Sequence, residues 1–445
     1  MPTSIHLVAY SKDLVIAAYG SRFIAVDAKT NQLVAAPNDH PSSNESSSVE
    51  KLKLDAMPEG LIRAIVFHRN GELMAVASDS RTIQVWNIKT WTLVQSKMLI
   101  KRPNALAFSG SEDELGDLIV ADKFGDVYRI PLGSVNDKIK LLLGHCSLVT
   151  DMLLSHENGF LITSDRDEKI RVSLFPDTFE IDGFCLGHTG FITKICPVPN
   201  RPNAIISGGG DGNLILWNLT THTEVERLAI ADFAPELRPI NATTPQTIVT
   251  IKSSPVSSAI AILFENIPLV TILRASLGSN NKFEVHTNIQ LPRAALDIEF
   301  DHKGDLIVAF APAPTQFEDS LLIGISEFHK EKEVKFSEIS TTAGVAGKLN
   351  QVGTSETTEK VDYGAYIQIL RKFNEEEYRE LKKKRKSEAG EDGEGGGGRV
   401  PKQQKQQPKQ GGGKGKGGKR GGKNHKKNQA GGGIQEEPTV ADADQ

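Results

Sequence analysis

Gly187-His188-Thr189-Gly190, then Phe191 to Val198, then Ala204-Ile205-Ile206-Ser207-Gly208-Gly209-Gly210-Asp211-Gly212-Asn213-Leu214-Ile215-Leu216-Trp217-Asn218: this stretch decides the fold. It opens on Gly-His, alternates apolar residues over strand-length runs, turns on Gly and Asp, and closes on Trp-Asn. Units of this kind at a period of roughly 40 residues are the signature of WD-type propeller blades. Each blade is a four-stranded antiparallel sheet that cannot bury both faces alone, so neighbours stack around an axis. His188, Ser207, Asp211 and Trp217 are placed to form one hydrogen-bonded chain inside the blade. Such a buried network is worth keeping only when every member is satisfied.

Other copies lie on either side. The preceding one starts at Gly144-His145 and runs through Leu161-Ile162-Thr163 and Asp167 to Ile170-Arg171-Val172-Ser173. It keeps His145, Thr163 and Asp167, with Ser173 where Trp belongs. A copy beginning at Lys101 ends at Val127-Tyr128-Arg129-Ile130, and another ends at Ile83-Gln84-Val85-Trp86-Asn87. Ser4 to Ala35 reads as an opening blade. Pro245 to Leu291 is a long, degenerate copy, and Ala294 to Val308 reads as the last. The expectation is an all-β, seven-bladed WD-type β-propeller over residues 1–370. Pairing of the N-terminal strand with the final blade would remove the exposed edge.

The segments outside the repeat are also legible. Residues from about 35 to 60 begin with a Pro-, Asn- and Ser-rich stretch and read as an exposed insertion. Residues 371–388 read as a C-terminal helix with a basic cluster. Asn374 can cap it, Glu377 completes a capping box, and early acids suit its N-terminus. Residues 389–445, rich in Gly, Lys and Gln, cannot build a core and read as a disordered tail.

Bulk composition bounds the function. With 38% hydrophobic and 24% charged residues, a globular body with polar tails is expected. No apolar run approaches the ~20 residues of a membrane helix, so no membrane partner is expected. Met1 to Tyr10 lacks a basic stretch followed by an apolar segment, which argues against secretion. Three cysteines, Cys146, Cys185 and Cys196, make no disulfide framework and suit a reducing compartment. The net charge of −4 hides a division: residues 1–381 carry −12, residues 382–430 carry +12, and residues 431–445 carry −4. Basic arms of this kind commonly touch nucleic acid or keep a chain soluble.

Catalytic chemistry is hard to find. Gly208 to Gly212 resembles a phosphate cradle, but a strand follows it where a helix N-terminus is needed. Asp165-Arg166-Asp167 offers two carboxylates, yet Asp167 already has a structural task equivalent to that of Asp211. Cys185 and His188 make one zinc-like pair, while structural zinc wants two. Cys146, Cys196 and His145 do not complete it, because the Gly-His histidines belong to separate blades. No serine elbow and no glycine-rich nucleotide loop is present. The reading is therefore no catalytic residue, no metal and no cofactor.

Charge on one face is more informative. In a blade, the loop leading into the first strand and the turn joining the second and third strands emerge on the same side. Lys101 and Arg102 lie in such a loop, and Lys123 in the turn of the same blade. Arg166 lies in the corresponding turn of the next blade. Asp122, Asp126, Asp165 and Glu168 interleave with them. Phe124 sits where small turn formers fit better, so it needs a local pocket or a partner. Arg166 is the leading anchor candidate, because arginine pairs bidentately with carboxylates and is enriched at hot spots.

Lys101-Arg102-Pro103-Asn104, Ala121-Asp122-Lys123-Phe124-Gly125-Asp126-Val127-Tyr128, Gly144-His145 with Leu148, Thr150 and Asp151, and Thr163 to Ile170 resemble the WD-repeat, non-catalytic subunit of the eukaryotic tRNA (guanine-N7)-methyltransferase. The strong match covers about residues 101 to 218. The resemblance implies a propeller that forms a heterodimer with the methyl-transferring subunit and stabilises its active form. That subunit modifies a guanine in the tRNA variable loop, so tRNA is met through the complex. The resemblance implies docking of Lys123 and Arg166 against acidic groups of that subunit; taken with the charge on one face, the expected partner-binding residues are Lys101, Arg102, Lys123, Phe124, Asp165 and Arg166. A nuclear location is implied as well, with Lys382, Lys383, Lys384, Arg385 and Lys386 serving nuclear import or RNA contact. The alternative is a general protein-interaction scaffold in ribosome assembly or chromatin.

Overall fold

The computed structural model describes residues 7–27, 32–37, 50–53, 56–133, 138–155, 159–233, 246–275, 282–291, 293–310 and 323–326. All of them belong to one unit, Met1–Phe373. They build an all-β, WD-type propeller. Its first sheet joins Leu7–Ser11, Leu14–Tyr19, Arg22–Asp27, Gln32–Pro37 and Glu50–Leu52. The second contains Ile62–Phe67, Leu73–Ser78, Thr82–Asn87 and Thr92–Met98. The third contains Pro103–Phe108, Asp117–Asp122, Asp126–Pro131 and Lys140–Gly144. The fourth follows with Val149–Leu154, Phe160–Asp165, Lys169–Leu174 and Ile181–Leu186. The fifth is Ile192–Val198, Arg201–Gly209, Asn213–Asn218 and Thr223–Ala229. The sixth, over the degenerate copy, is Ile248–Ser253, Ala259–Phe264, Leu269–Ala275 and Phe283–Gln290. Three strands, Ala295–Phe300, Leu306–Phe310 and Ile323–Ser326, form the last sheet.

Burial explains the residue pattern. The second strands Leu73–Ser78, Asp117–Asp122 and Ala259–Phe264 are buried at every position, because neighbouring sheets cover both of their faces. They therefore read as continuous small and β-branched runs, as strands covered on both sides do. The cores lie between sheets. Ala105, Ile119, Val127 and Leu143 of the third sheet pack with Val149, Met152 and Leu161 of the fourth. Each such Leu or Ile contributes roughly 1.5–3 kcal/mol when fully buried.

One irregularity positions the candidate site. In the first six-residue strand of the third sheet, the ladder slips between Pro103 and Ala105; in the fourth it slips between Val149 and Asp151. The same slip recurs in the second, fifth, sixth and seventh sheets. Side chains from these bulges stitch neighbours together. Asn104 donates to the Val149 carbonyl at 3.0 Å, and the Thr193 hydroxyl donates to the Ile248 carbonyl. Just beyond the second strand of the second to sixth sheets, one backbone N–H returns to the loop before the first strand: Asp79 to Leu61, Lys123 to Arg102, Arg166 to Leu148, Gly210 to Phe191 and Glu265 to Thr247. These five residues hold one equivalent position on one face. The first strands surround an axial cavity of about 520 Å³, whose lining includes the pairs Lys194–Asp151 at 3.2 Å and Lys252–Glu299 at 2.6 Å.

Two expectations need correction. The insertion is not wholly exposed. Its strand Glu50–Leu52 runs parallel to Gln32–Pro37, Leu52 and Met57 pack into the core with the second sheet, and Gln84 donates to the Ala56 carbonyl. Residues 38–49 and 54–55 lie outside the described residues. Closure also differs among the described residues. Leu7–Ser11 pairs within its own sheet, and the first and last sheets meet by packing of Val8 and Val15 with Ile307 and Ala309. Val8 N–H donates to Asp297 at 3.1 Å across that seam, and Tyr10 hydrogen-bonds His302. The expected helix at 371–388, the basic cluster Lys382–Lys386 and the tail at 389–445 lie outside the described residues.

Candidate partner-docking face

The blade network is built as one relay in the fifth sheet. Trp217 Nε1–H donates to Ser207 Oγ at 2.7 Å, and Ser207 donates to His188 Nε2 at 2.7 Å. His188 Nδ1–H then donates to Asp211 at 2.8 Å, and Asp211 also accepts from Thr189 and Asn213 N–H. This proton arrangement satisfies every member. Burial works against the Asp211 carboxylate, but the hydrogen bonds from His188 and from the Thr189 and Asn213 N–H groups outweigh it and hold the pKa below the ordinary value.

In the fourth sheet the relay is corrected by two positions. His145 Nδ1 meets Asp165 at 3.1 Å and its Nε2 meets the Thr163 hydroxyl at 2.7 Å, so Asp165, and not Asp167, supplies the carboxylate. Asp165 is only 3% exposed and also accepts Lys169 N–H. Burial opposes its charge, yet the His145 and Lys169 hydrogen bonds keep its pKa low. A residue so enclosed cannot offer its carboxylate to a partner, which withdraws Asp165 from the docking set. Asp167 stands in the turn instead, with its carboxylate 3.9 Å from Arg166 Nε. The reason lies at the strand end: Asp165 pairs with Val149 just as Gly209 pairs with Ile192. A Cβ at Gly209 would stand 2.0 Å from the Phe191 carbonyl oxygen. No side chain fits there, so the fifth sheet takes its acid from Asp211, further along.

The third sheet carries its own version. Asp122, fully buried, accepts Phe124 N–H at 2.8 Å, Asp126 N–H at 3.1 Å and the Tyr128 hydroxyl at 3.3 Å. These bonds tie down the turn Lys123-Phe124-Gly125. Gly125 has φ +105°, and a Cβ there would stand 2.5 Å from the Ser147 carbonyl oxygen. His145 N–H closes onto the Gly125 carbonyl, joining this turn to the next sheet's leading loop. The geometry therefore requires glycine and pushes its neighbours outward. Phe124 is left 54% exposed, with the Lys101 ammonium 3.6 Å from its ring centroid and that of Lys123 at 5.4 Å. Two cations on one ring are a favourable arrangement of the ring quadrupole.

The two sequence-selected turns thus share a face. Lys123 and Arg166 each follow the terminal aspartate of a second strand, Asp122 and Asp165, in adjacent sheets. Arg166 is 38% exposed, and its Nε is buried with no hydrogen-bond partner among the described residues. Arg102 is different. Its side chain is 17% exposed and donates to Asp79 at 3.3 Å, so it is engaged within the chain. Asp79, missed in the sequence, also receives Arg63 at 2.9 and 2.7 Å. Beside Lys101, Ile100 is 80% exposed, an apolar neighbour that periodicity did not single out. Elsewhere, burial pushes the Cys185 thiol up to about 12 and Cys196 to about 11.

Comparison with known proteins bears on this face. A family profile described as the tRNA methyltransferase TRM82 WD40 domain matches residues 25–138 and 134–320. The protein named tRNA (guanine-N(7)-)-methyltransferase non-catalytic subunit WDR4 of Mus musculus is 29% identical over 314 residues, covering 69% of this chain and 74% of its own. The Danio rerio protein of that name is 31% identical over 56% of this chain and 59% of its own. The Homo sapiens protein is 35% identical over 49% of this chain and 52% of its own. The chain thus spans from about half to three quarters of these relatives' length. Among solved structures, the RRP9 WD40 repeats superpose with TM-score 0.56 at 16% identity, over 72% of this chain and 93% of that one. A chain of the mitotic checkpoint complex gives 0.55 at 14% identity, over 69% and 86%. These two likenesses speak for the fold alone. The profile spans most of the sheets, both docking turns included, and the chain belongs to the tRNA methyltransferase TRM82 WD40 domain family.

Proposed function

We propose that this chain is the non-catalytic subunit of a tRNA (guanine-N7)-methyltransferase. It binds the catalytic subunit as a heterodimer and stabilises its active form, so that 7-methylguanosine is made in the tRNA variable loop. The observation that carries this reading is the equivalence of Lys123 and Arg166 in adjacent sheets, on one face. The names of the relatives support the choice of partner.

The chemistry belongs to the partner. This chain supplies a rigid surface with Lys101, Lys123 and Arg166 as cations and Phe124 as an exposed ring. Arg166 can fork onto a partner carboxylate, and Lys101 and Lys123 add point charges around Phe124. Complementary charge speeds encounter and fixes register. A surface that contacts only the active arrangement of the catalytic subunit shifts its population towards that arrangement. The ring is read as seven-bladed, which the three-strand sheet beside the first sheet supports. Its tail is read as an RNA-contacting arm, and the chain as nuclear.

The test is Arg166→Glu in the full chain. Co-purification of the methyltransferase and tRNA 7-methylguanosine should both be lost while the melting temperature is kept. An intact complex with unchanged modification overturns the reading. Recovery of a large mixed assembly, with no stoichiometric methyltransferase, favours the general scaffold instead.

A further inference from the structure

We propose that Asp79, which lies outside the two docking turns, is a positioning residue for the cluster of Lys101, Lys123 and Phe124. The assignment rests on the docking reading above.

Asp79 holds in the second sheet the position that Lys123 and Arg166 hold in the third and fourth. Its side chain does not project as theirs do. Arg63 grips it through two parallel bonds, Nε to Oδ1 at 2.9 Å and Nη2 to Oδ2 at 2.7 Å. That fork fixes the carboxylate, because paired planar groups leave little rotational freedom. Oδ1 then accepts a further bond from Arg102 Nη1, 3.3 Å away, in the loop leading into the third sheet.

Two routes run from Arg102 to the docking cluster. Its carbonyl accepts Lys123 N–H at 2.9 Å. Its chain neighbour Lys101 covers the Phe124 ring. Asp79 therefore bears on both lysines through one residue, across the boundary between two sheets.

Charge makes the arrangement sensitive. Arg63 and Arg102 have side chains 24% and 17% exposed and share this one carboxylate. Neutralising it leaves two half-buried guanidinium groups facing each other. Like charges at short range in a poorly solvated place repel. Arg63 is held within a strand, whereas Arg102 sits in a loop, so the loop is the part that yields. Lys101 and the start of the Lys123 turn then lose their fixed position, while Arg166 keeps its own support from Leu148.

The experiment measures affinity of the full chain for the methyltransferase catalytic subunit. Asp79→Asn should weaken it about tenfold, the equivalent of roughly 1.4 kcal/mol. Asp79→Glu should restore most of the loss, since charge and acceptor return. The loss from Asp79→Asn combined with Lys123→Ala should be smaller than the product of the two single losses. Combined with Arg166→Ala, the losses should multiply, because that turn is independently held. Arg102→Met should reproduce the effect of Asp79→Asn and add nothing to it; it also carries the test if Asp79→Asn does not fold. Wild-type affinity in Asp79→Asn, or full multiplication with Lys123→Ala, overturns the assignment. If Arg166→Glu and Lys123→Glu leave association intact, the docking reading falls, and this assignment falls with it. If they abolish association while Asp79→Asn is silent, only the positioning role falls.

Discussion

Asp165 and Gly209 hold the same place in successive sheets, each the last residue of a second strand and each opposite the first residue of the neighbouring strand, Val149 and Ile192. One supplies the carboxylate that orients a histidine; the other leaves that task to Asp211, two residues on. Substitutions at the two sites should separate these roles. Asp165→Asn removes a buried charge partner of His145 and should lower stability by about 1–3 kcal/mol. Asp167→Asn, in the exposed part of the turn, should stay within about 0.5 kcal/mol. Urea unfolding of the two variants checks the pair, and equal losses would return Asp167 to the network.

Glycine substitution at the strand end should be severe. Gly209→Ala places a Cβ 2.0 Å from a backbone oxygen that cannot rotate away. The fifth sheet must shift or its ladder must open, with an expected loss of about 2 kcal/mol or more. Gly125→Ala meets two carbonyl oxygens, of Ser147 and His145, at 2.5 and 2.7 Å from an unfavourable φ. It should lower both the melting temperature and partner affinity, since Phe124 moves with the turn. Thermal melts and binding on the same preparations read both effects.

Acid should act through the relay carboxylates. Asp165 and Asp211 have folded pKa values below the ordinary 3.8. The unfolded chain therefore binds protons more readily in acid. The stability these groups contribute is complete above their unfolded pKa and is lost as pH falls through the folded one. Urea midpoints should fall steeply below about pH 4, and an Asp165→Asn, Asp211→Asn double variant should show a shallower decline. An identical pH slope in that variant would assign acid sensitivity to other groups.

The exposed ring gives a binding prediction. Phe124→Leu keeps an apolar side chain but removes the aromatic ring that both Lys101 and Lys123 approach. Affinity for the methyltransferase subunit should drop by about 0.5–2 kcal/mol. Little change in melting temperature is expected, because the ring is mostly outside the core. Titration of the two purified subunits measures the first quantity.

The tail prediction concerns salt. Deleting residues 399–427 should reduce tRNA affinity of the complex at low salt and flatten its salt dependence, as expected when cations leave a phosphate interface. Identical binding isotherms at low salt would remove the RNA role.

The sheet succession was legible because its causes are local. The apolar run Leu214–Trp217 and the spacing of His188, Ser207 and Trp217 are properties of one sheet, and each is found where the sequence puts it. Lys123 and Arg166 could be assigned to one face for the same reason. Counting failed at Asp167, because the spacing was taken from the fifth sheet, where no Cβ fits beside the Phe191 carbonyl, whereas the fourth sheet holds Asp165 at that place. Composition failed in the insertion, where Pro, Asn and Ser drew attention from Leu52 and Met57, which pack into the core. Asp79 was invisible because its partner Arg102 belongs to another sheet, and only stacking brings the two together.

The seam between the first and last sheets is made of side-chain packing and isolated polar contacts such as Val8 with Asp297, with no ladder among the described strands. Elsewhere, strand-to-strand pairing holds each sector together and the chain itself runs on into the next. Val8, Val15, Ile307 and Ala309 therefore carry the described part of this junction, and a polar replacement of Val8 or Ile307 should loosen it before any sector loses its internal order. The candidate turns at Lys123 and Arg166 lie in the third and fourth sectors, so a fault at that junction leaves their backbone anchors to Arg102 and Leu148 in place.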